Sequence, residues 1–156
     1  MAERRKSKPV SWKARIAKAK PAHVVSTEAD FAGIRAGSRL LIASPEILAR
    51  YLMAIPVGET RNLVRLRNEL ARRHRADATC PVTTAIYLRV IAESAWEDLC
   101  SGAPRDAVPP FWRVIDPGSP IAKRLSFGSD VIEHERAIEQ GDPHGRMGQV
   151  DFLPRS

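Results

Sequence analysis

Residues 79–99, TCPVTTAIYLRVIAESAWEDL, constrain the fold of this chain more than any other stretch. They read as one helix. Pro81 suits the first helical position, because its φ is already fixed near the helical value and its missing N–H would have no partner there. Thr79 or Cys80 then stands at the cap. At helical spacing Ala85, Leu88, Ala92, Ala95, Trp96 and Leu99 share one face. Thr83, Thr84 and Tyr87 are expected to turn outward from the first turns, with Ser94 and Asp98 further along that side. The basic run Arg72-Arg73-His74-Arg75 lies just ahead. Two readings fit this pattern: a core helix with one wet face, or a hydroxyl-rich helix tip that enters a DNA groove beside clustered arginines.

Charge favours an anionic partner. The chain has 156 residues, enough for one domain with a real core. Its 25 Lys and Arg against 18 Asp and Glu leave a formal charge of +7. Such a balance favours nucleic acid first, and an acidic protein or a membrane surface second. Two cysteines, Cys80 and Cys100, are too few for a disulfide framework. No stretch approaches the ~20 apolar residues of a membrane span, and the basic N-terminus lacks the apolar segment of a signal peptide. The expectation is a cytoplasmic monomer that takes no cofactor. Gly-rich phosphate loops are absent, and Cys80, Cys100, His74 and His134 lack the paired spacing of a zinc site.

Taken in order, residues 1–37 form a basic arm. Arg4, Arg5, Lys6, Lys8, Lys13, Arg15, Lys18 and Lys20 stand against the single acid Glu3 within the first twenty positions. The arm is expected to be largely flexible, with a short helix at 11–20, and either to contact phosphates or to stay solvated. The folded domain is expected at 38–141. It opens with a strand at 39–43, followed by the helix start Ser44-Pro45-Glu46. Ile47, Leu48, Tyr51 and Leu52 give that helix a buried stripe. Asn62 caps the next helix, with Leu63, Leu66 and Leu70 inward. Arg61, Arg65, Arg67, Arg72, Arg73 and Arg75 face one acid, Glu69, in this segment, which leaves a net positive surface. The short link 75–79 makes a helix-turn-helix in outline. Beyond the long helix, Val114 and Ile115 favour a strand at 111–115, Ser126 to Ser129 is a break, and Ser129 caps a last helix over 130–140. Residues 142–156, rich in Gly, Pro and charge, read as a flexible tail.

The order of these signals resembles the DNA-binding domain of the O6-alkylguanine-DNA alkyltransferases over roughly residues 44–141. The carrying residues are Ile55-Pro56-Val57-Gly58-Glu59, the Thr79-Cys80-Pro81 helix start, Pro110 with Arg113-Val114-Ile115, and Leu125-Ser126-Phe127-Gly128-Ser129. The resemblance implies a mainly α fold with a small β wing, a winged helix-turn-helix, with the wing formed by 111–115 and the segment after Gly118. It implies double-stranded DNA as partner, with Thr83, Thr84 and Tyr87 at the recognition helix and Arg65, Arg72, Arg73 and Arg75 on phosphates. It also implies a base pocket built from Pro110, Phe111, Trp112, Arg113, Ser126, Phe127 and Gly128.

The departures concern chemistry. Where the family has its alkyl-accepting cysteine and proton-relaying histidine, this chain has Phe111 and Trp112. The position of the family's phosphate-rotating tyrosine aligns with Leu63, and the base-replacing arginine with Thr83 or Thr84. Neither an indole nor a phenyl ring can take an alkyl group as an activated thiolate does. The chain therefore resembles the alkyltransferase-like branch, which binds alkylated guanine without repairing it. Phe111 and Trp112 either wall a pocket for a flipped base or fill the space as core. Cys80 is the alternative acceptor, at a helix N-terminus with His74 as a candidate base; the competing reading is a small capping or buried residue. Glu93, Glu97 and Asp98 are expected on a solvated face. A basic interaction module with no lesion specificity is the broader alternative.

Overall fold

The computed structural model describes residues 11–141. Most helices begin at a side-chain cap, which satisfies an otherwise orphaned backbone N–H. Ser11 accepts from Ala14 N–H ahead of α1 (Trp12–Lys18), and Ser44 from Ile47 ahead of α2 (Pro45–Ala54). Asn62 accepts from Arg65 ahead of α3 (Leu63–Arg73). The long helix α4 (Pro81–Cys100) starts on Pro81, and Cys80 makes no side-chain cap bond. Ser119 caps α5 (Pro120–Arg124) by accepting from Ala122 N–H. At α6 (Asp130–Glu139) the expected cap is absent, because Ser129 is itself in helical backbone and makes no cap bond.

A three-stranded sheet accompanies the helices. β1 (His23–Ser26) pairs antiparallel with β2 (Arg39–Ile42), and β2 pairs in parallel with the two-residue β3 (Ala78–Thr79). The chain is thus mainly helical with a small sheet; β2 falls on the strand expected at 39–43, whereas β1 and β3 were not expected. β1 and α1 belong to the fold: β1 is hydrogen-bonded to β2, and α1 packs on α4. The domain therefore starts well before residue 38. The remainder of the expected arm, 1–10, and the expected tail, 142–156, lie outside the described residues.

The expected strand at 111–115 is a 3-10 turn, Phe111–Arg113. Pro109 and Pro110 have no N–H to give to a ladder. The amides that follow turn back on the segment itself, with Val114 N–H and Ile115 N–H both donating to Phe111 O. No wing forms there.

The core sits around α4. Leu88, Ile91, Ala92, Ala95 and Leu99 pack with Leu48, Tyr51 and Leu52 of α2, Leu66 and Leu70 of α3, and Phe111, Trp112, Val131 and Ile132 from the second half. No helix among the described residues is long and apolar enough to cross a membrane.

Candidate nucleic-acid interface

Around α3, three arginines converge on one carboxylate. Arg65 Nε donates to Glu69 Oε1 at 2.6 Å, and Arg61 and Arg73 lie 3.8 and 3.9 Å from Glu69 Oε2. Beneath them the buried Tyr51 donates its hydroxyl to the same carboxylate at 3.0 Å. The Arg61 and Arg73 guanidiniums also stand 5.6 and 5.4 Å from the Tyr51 ring centroid, within cation–π range. The hydrogen bond from Arg65 holds the Glu69 carboxyl below its ordinary range, while burial pushes the Tyr51 hydroxyl up. One negative charge is shared by three cations. Arg72 and Arg75 are exposed and make no ion pair among the described residues, so the surface of α3 keeps a surplus of positive charge.

The tip of α4 differs from its expected face. Thr84 is buried and donates its hydroxyl to Cys80 O at 2.7 Å, a bond back along the helix that removes it from any outward role. Tyr87 is half-buried beside α1, next to Arg15 and Lys18. Thr83 is half-buried, with its hydroxyl oxygen buried and without a hydrogen-bond partner among the described residues. The exposed residues of these turns are Val82 and Ile86. The helical phase is turned from the expectation because Thr84 lies four residues before Leu88, on the core face. The link from α3 is also stitched to the sheet: Asp77 N–H donates to Arg39 O, Cys80 N–H to Leu41 O, and the Thr79 hydroxyl to Arg67 O. Arg75 enters this link in left-handed backbone, at φ 54°.

Cys80 is buried at the start of α4, and Cys100 is exposed at its end. No group of three or more His, Cys, Asp or Glu among the described residues is placed to hold a metal ion.

Around Pro110–Arg113 the structure decides between wall and filling. Phe111 and Trp112 are 0% and 1% exposed, packed edge to face with centroids 5.1 Å apart. Phe127 closes over Phe111 at 5.5 Å and over Trp96 at 5.0 Å. Trp112 Nε1 donates to Glu139 Oε2 at 2.9 Å, and Arg113 Nε to Glu139 Oε1 at 2.5 Å. Arg113 Nη1 reaches Ile55 O at 2.6 Å, so this cluster ties the 55–61 turn to α6. Arg136, its charge disfavoured by burial, donates to Trp112 O and Ile115 O. The void left beside Trp112 and Arg113 measures about 10 Å³, room for at most a single water and far too small for a base. Pro110 is buried with the rings, while Ser126 and Gly128, which flank Phe127 in the chain, are exposed. These seven residues do not form an open pocket.

Glu93 corrects another expectation. It is buried at 2% exposure, and both its oxygens are taken by the Ser126 N–H and hydroxyl. It anchors the 125–129 turn to α4 and is not part of a solvated face. Asp98, by contrast, is partly exposed and pairs with Lys13 of α1.

The sequence reading missed a groove of about 450 Å³ between α1, α4 and α5. Trp12, Arg15, Val82, Ile86, Arg89 and Arg124 are among its lining residues. The only signal for it in the sequence was a tryptophan inside a basic stretch, which carries no spacing that points at a partner helix. No protein-family model, curated protein or solved structure matches this chain.

Proposed function

We propose that this chain is a non-enzymatic DNA-binding protein of the alkyltransferase-like kind, a winged helix-turn-helix in which α3 and α4 are the paired helices. In this reading the β1–β2 ribbon, not the 111–115 segment, is the wing. The observation that carries it is the arginine surplus around α3: Arg61, Arg65 and Arg73 about the single Glu69, with Arg72 and Arg75 beside them and in no ion pair among the described residues. Arginines held in place by a shared carboxylate and an aromatic ring are preorganised for phosphate oxygens. Phosphate contacts position a protein on the duplex without reading sequence. Thr83 is the remaining hydroxyl at the α4 tip; Thr84 and Tyr87 drop out of the interface.

The burial of Phe111 and Trp112 supports binding without lesion chemistry at that position, and Cys80, itself buried, gives no support to a thiolate acceptor. Titration of a labelled duplex at several salt concentrations tests the proposal. Affinity should fall steeply with salt, with a log–log slope of about 0.9 per phosphate neutralised. Binding that is flat in salt, or no binding, would remove the DNA reading. The same protein incubated with duplex carrying O6-methylguanine should keep its intact mass; a gain of one methyl on Cys80 would replace this reading with alkyl transfer.

A further inference from the structure

The groove between α1, α4 and α5 lies apart from the Glu69 arginine cluster and from the filled Phe111–Trp112 region. Its floor is apolar: Val82, Ala85, Ile86 and Ile121 line it, together with Pro81 and Pro120, each at the start of its helix. Val82 and Ile86 are among the large apolar side chains left exposed. Its charged lining is one-signed, with Arg15, Arg89 and Arg124 and no acid. Arg15 and Arg89 stand 4.7 and 5.4 Å from the Trp12 ring centroid, which fixes two guanidiniums at the groove. Arg89 lies 4.0 Å from Glu93 through its Nε, and its side chain is 38% exposed. The first turn of α4, which has no side-chain cap, adds the positive end of a long helix to the same site.

We infer that this groove binds a heteroaromatic anion of the nucleotide class. The flat base lies on Val82, Ala85, Ile86 and Ile121, and the phosphate is held by Arg89 and Arg124. A volume of about 450 Å³ falls within the usual range of small-ligand clefts. An apolar floor with a one-signed cationic rim selects against neutral apolar molecules and against bare anions alike, since each satisfies only half of the lining. The ligand is either a free nucleotide or a nucleotide within a single strand. This site does not depend on the duplex-binding surface of α3.

The test uses the full chain with dGMP, guanosine, inorganic phosphate and a 5′-phosphorylated trinucleotide, followed by backbone amide shifts. dGMP should move the amides of Val82, Ile86 and Arg89, with guanosine and phosphate each binding at least tenfold more weakly. Arg124→Gln and Ile86→Glu should each weaken dGMP at least tenfold while leaving the melting temperature within a few degrees. Tighter binding of the trinucleotide at the same amides assigns the ligand to single-stranded nucleic acid, and equal or weaker binding assigns it to free nucleotide; both outcomes support the site. Shifts elsewhere on the surface, phosphate competing as well as dGMP, or variants that bind normally would overturn it. Failure of the duplex reading remains separate, because these two substitutions leave Arg72 and Arg73 in place.

Discussion

Arginine and glutamate build two regions of this molecule, and they build them to different ends. At the α3 surface several arginines share Glu69, and the carboxylate is partly open to water. At the junction of the Phe111–Arg113 turn with α6, Arg113 pairs with one nearly buried acid, Glu139, and donates to Ile55 O, while Arg136 donates to Trp112 O and Ile115 O and lies 3.8 Å from Asp116. Nearby, Arg105 pairs in the same one-to-one way with the buried Glu135. A matched, buried set has nothing left to offer a partner, so its role is to hold the fold. An unmatched, exposed set adds little to stability and keeps unspent charge at the surface. The ratio of cations to carboxylates, together with burial, separates a clamp from a binding surface where residue types alone do not.

The sharpest way to break this comparison is at the clamp. Glu139→Ala should destabilise the protein by about 3–5 kcal/mol, because it leaves Arg113 and the Trp112 N–H buried without their acceptor. Trp112→Ala should cost a similar ~3–5 kcal/mol through cavity formation. Denaturant unfolding measures both. Duplex affinity measured at a temperature where the variants remain folded should be unchanged. A selective loss of binding to lesion-containing DNA in Trp112→Ala would mean that the ring meets a base after all.

At the open cluster the opposite pattern is expected. Replacing Arg72 and Arg73 by Gln should leave unfolding midpoints nearly unchanged, and should lower the salt slope of duplex binding by about 2 if each meets one phosphate. Unchanged affinity would remove these arginines from the interface.

Glu69→Gln sharpens the comparison further, since it frees three arginines at once. Duplex affinity should rise. Stability should also change its response to acid. The Glu69 carboxyl is held below its ordinary value in the folded protein. Its contribution is therefore complete above the unfolded value and disappears as pH falls through the lowered one. The gap in stability between the native chain and the Gln variant should close on acidification through that window, as thermal melts across pH would record. The smallest effect is expected from Arg75→Gly. Relief of left-handed backbone at that position is worth up to about 1 kcal/mol, set against one less cation near DNA.

Much of the helical half was legible in the sequence. Ser44, Asn62 and Pro81 mark helix starts that the structure keeps, since caps act through a few neighbouring atoms. What lay beyond reach depended on distant partners. Thr84 and Glu93 carry polar side chains, yet both are buried, one by bonding back to Cys80 O and the other by accepting from Ser126. Ser126 lies 33 residues from Glu93 and cannot be identified from local spacing, whereas Cys80 is four residues from Thr84, whose burial follows from its place on the core face with Leu88. The strand propensity of Val114 and Ile115 yielded to a 3-10 turn because no neighbouring strand offered a ladder. Trp12 looked like part of a tail until α4 supplied the surface it lies against.

The connection between α3 and α4 has a consequence for how this chain can vary in length. An ordinary surface loop accepts added residues cheaply, at about 0.6 kcal/mol for each doubling. The segment that includes β3 is different, because Ala78 and Thr79 are in register with Leu40 and Leu41. One inserted residue would turn Thr79 to the opposite side of the strand and take its hydroxyl away from Arg67 O. The left-handed backbone at Arg75 restricts which side chains that position takes, and the residue count of the connection is fixed by the sheet. The 27–38 loop between β1 and β2 instead bonds within itself, through Thr27 to Arg35 and Ser38 and through Asp30 to Ala36, so a change of length there disturbs its own turn and not the register of a third strand.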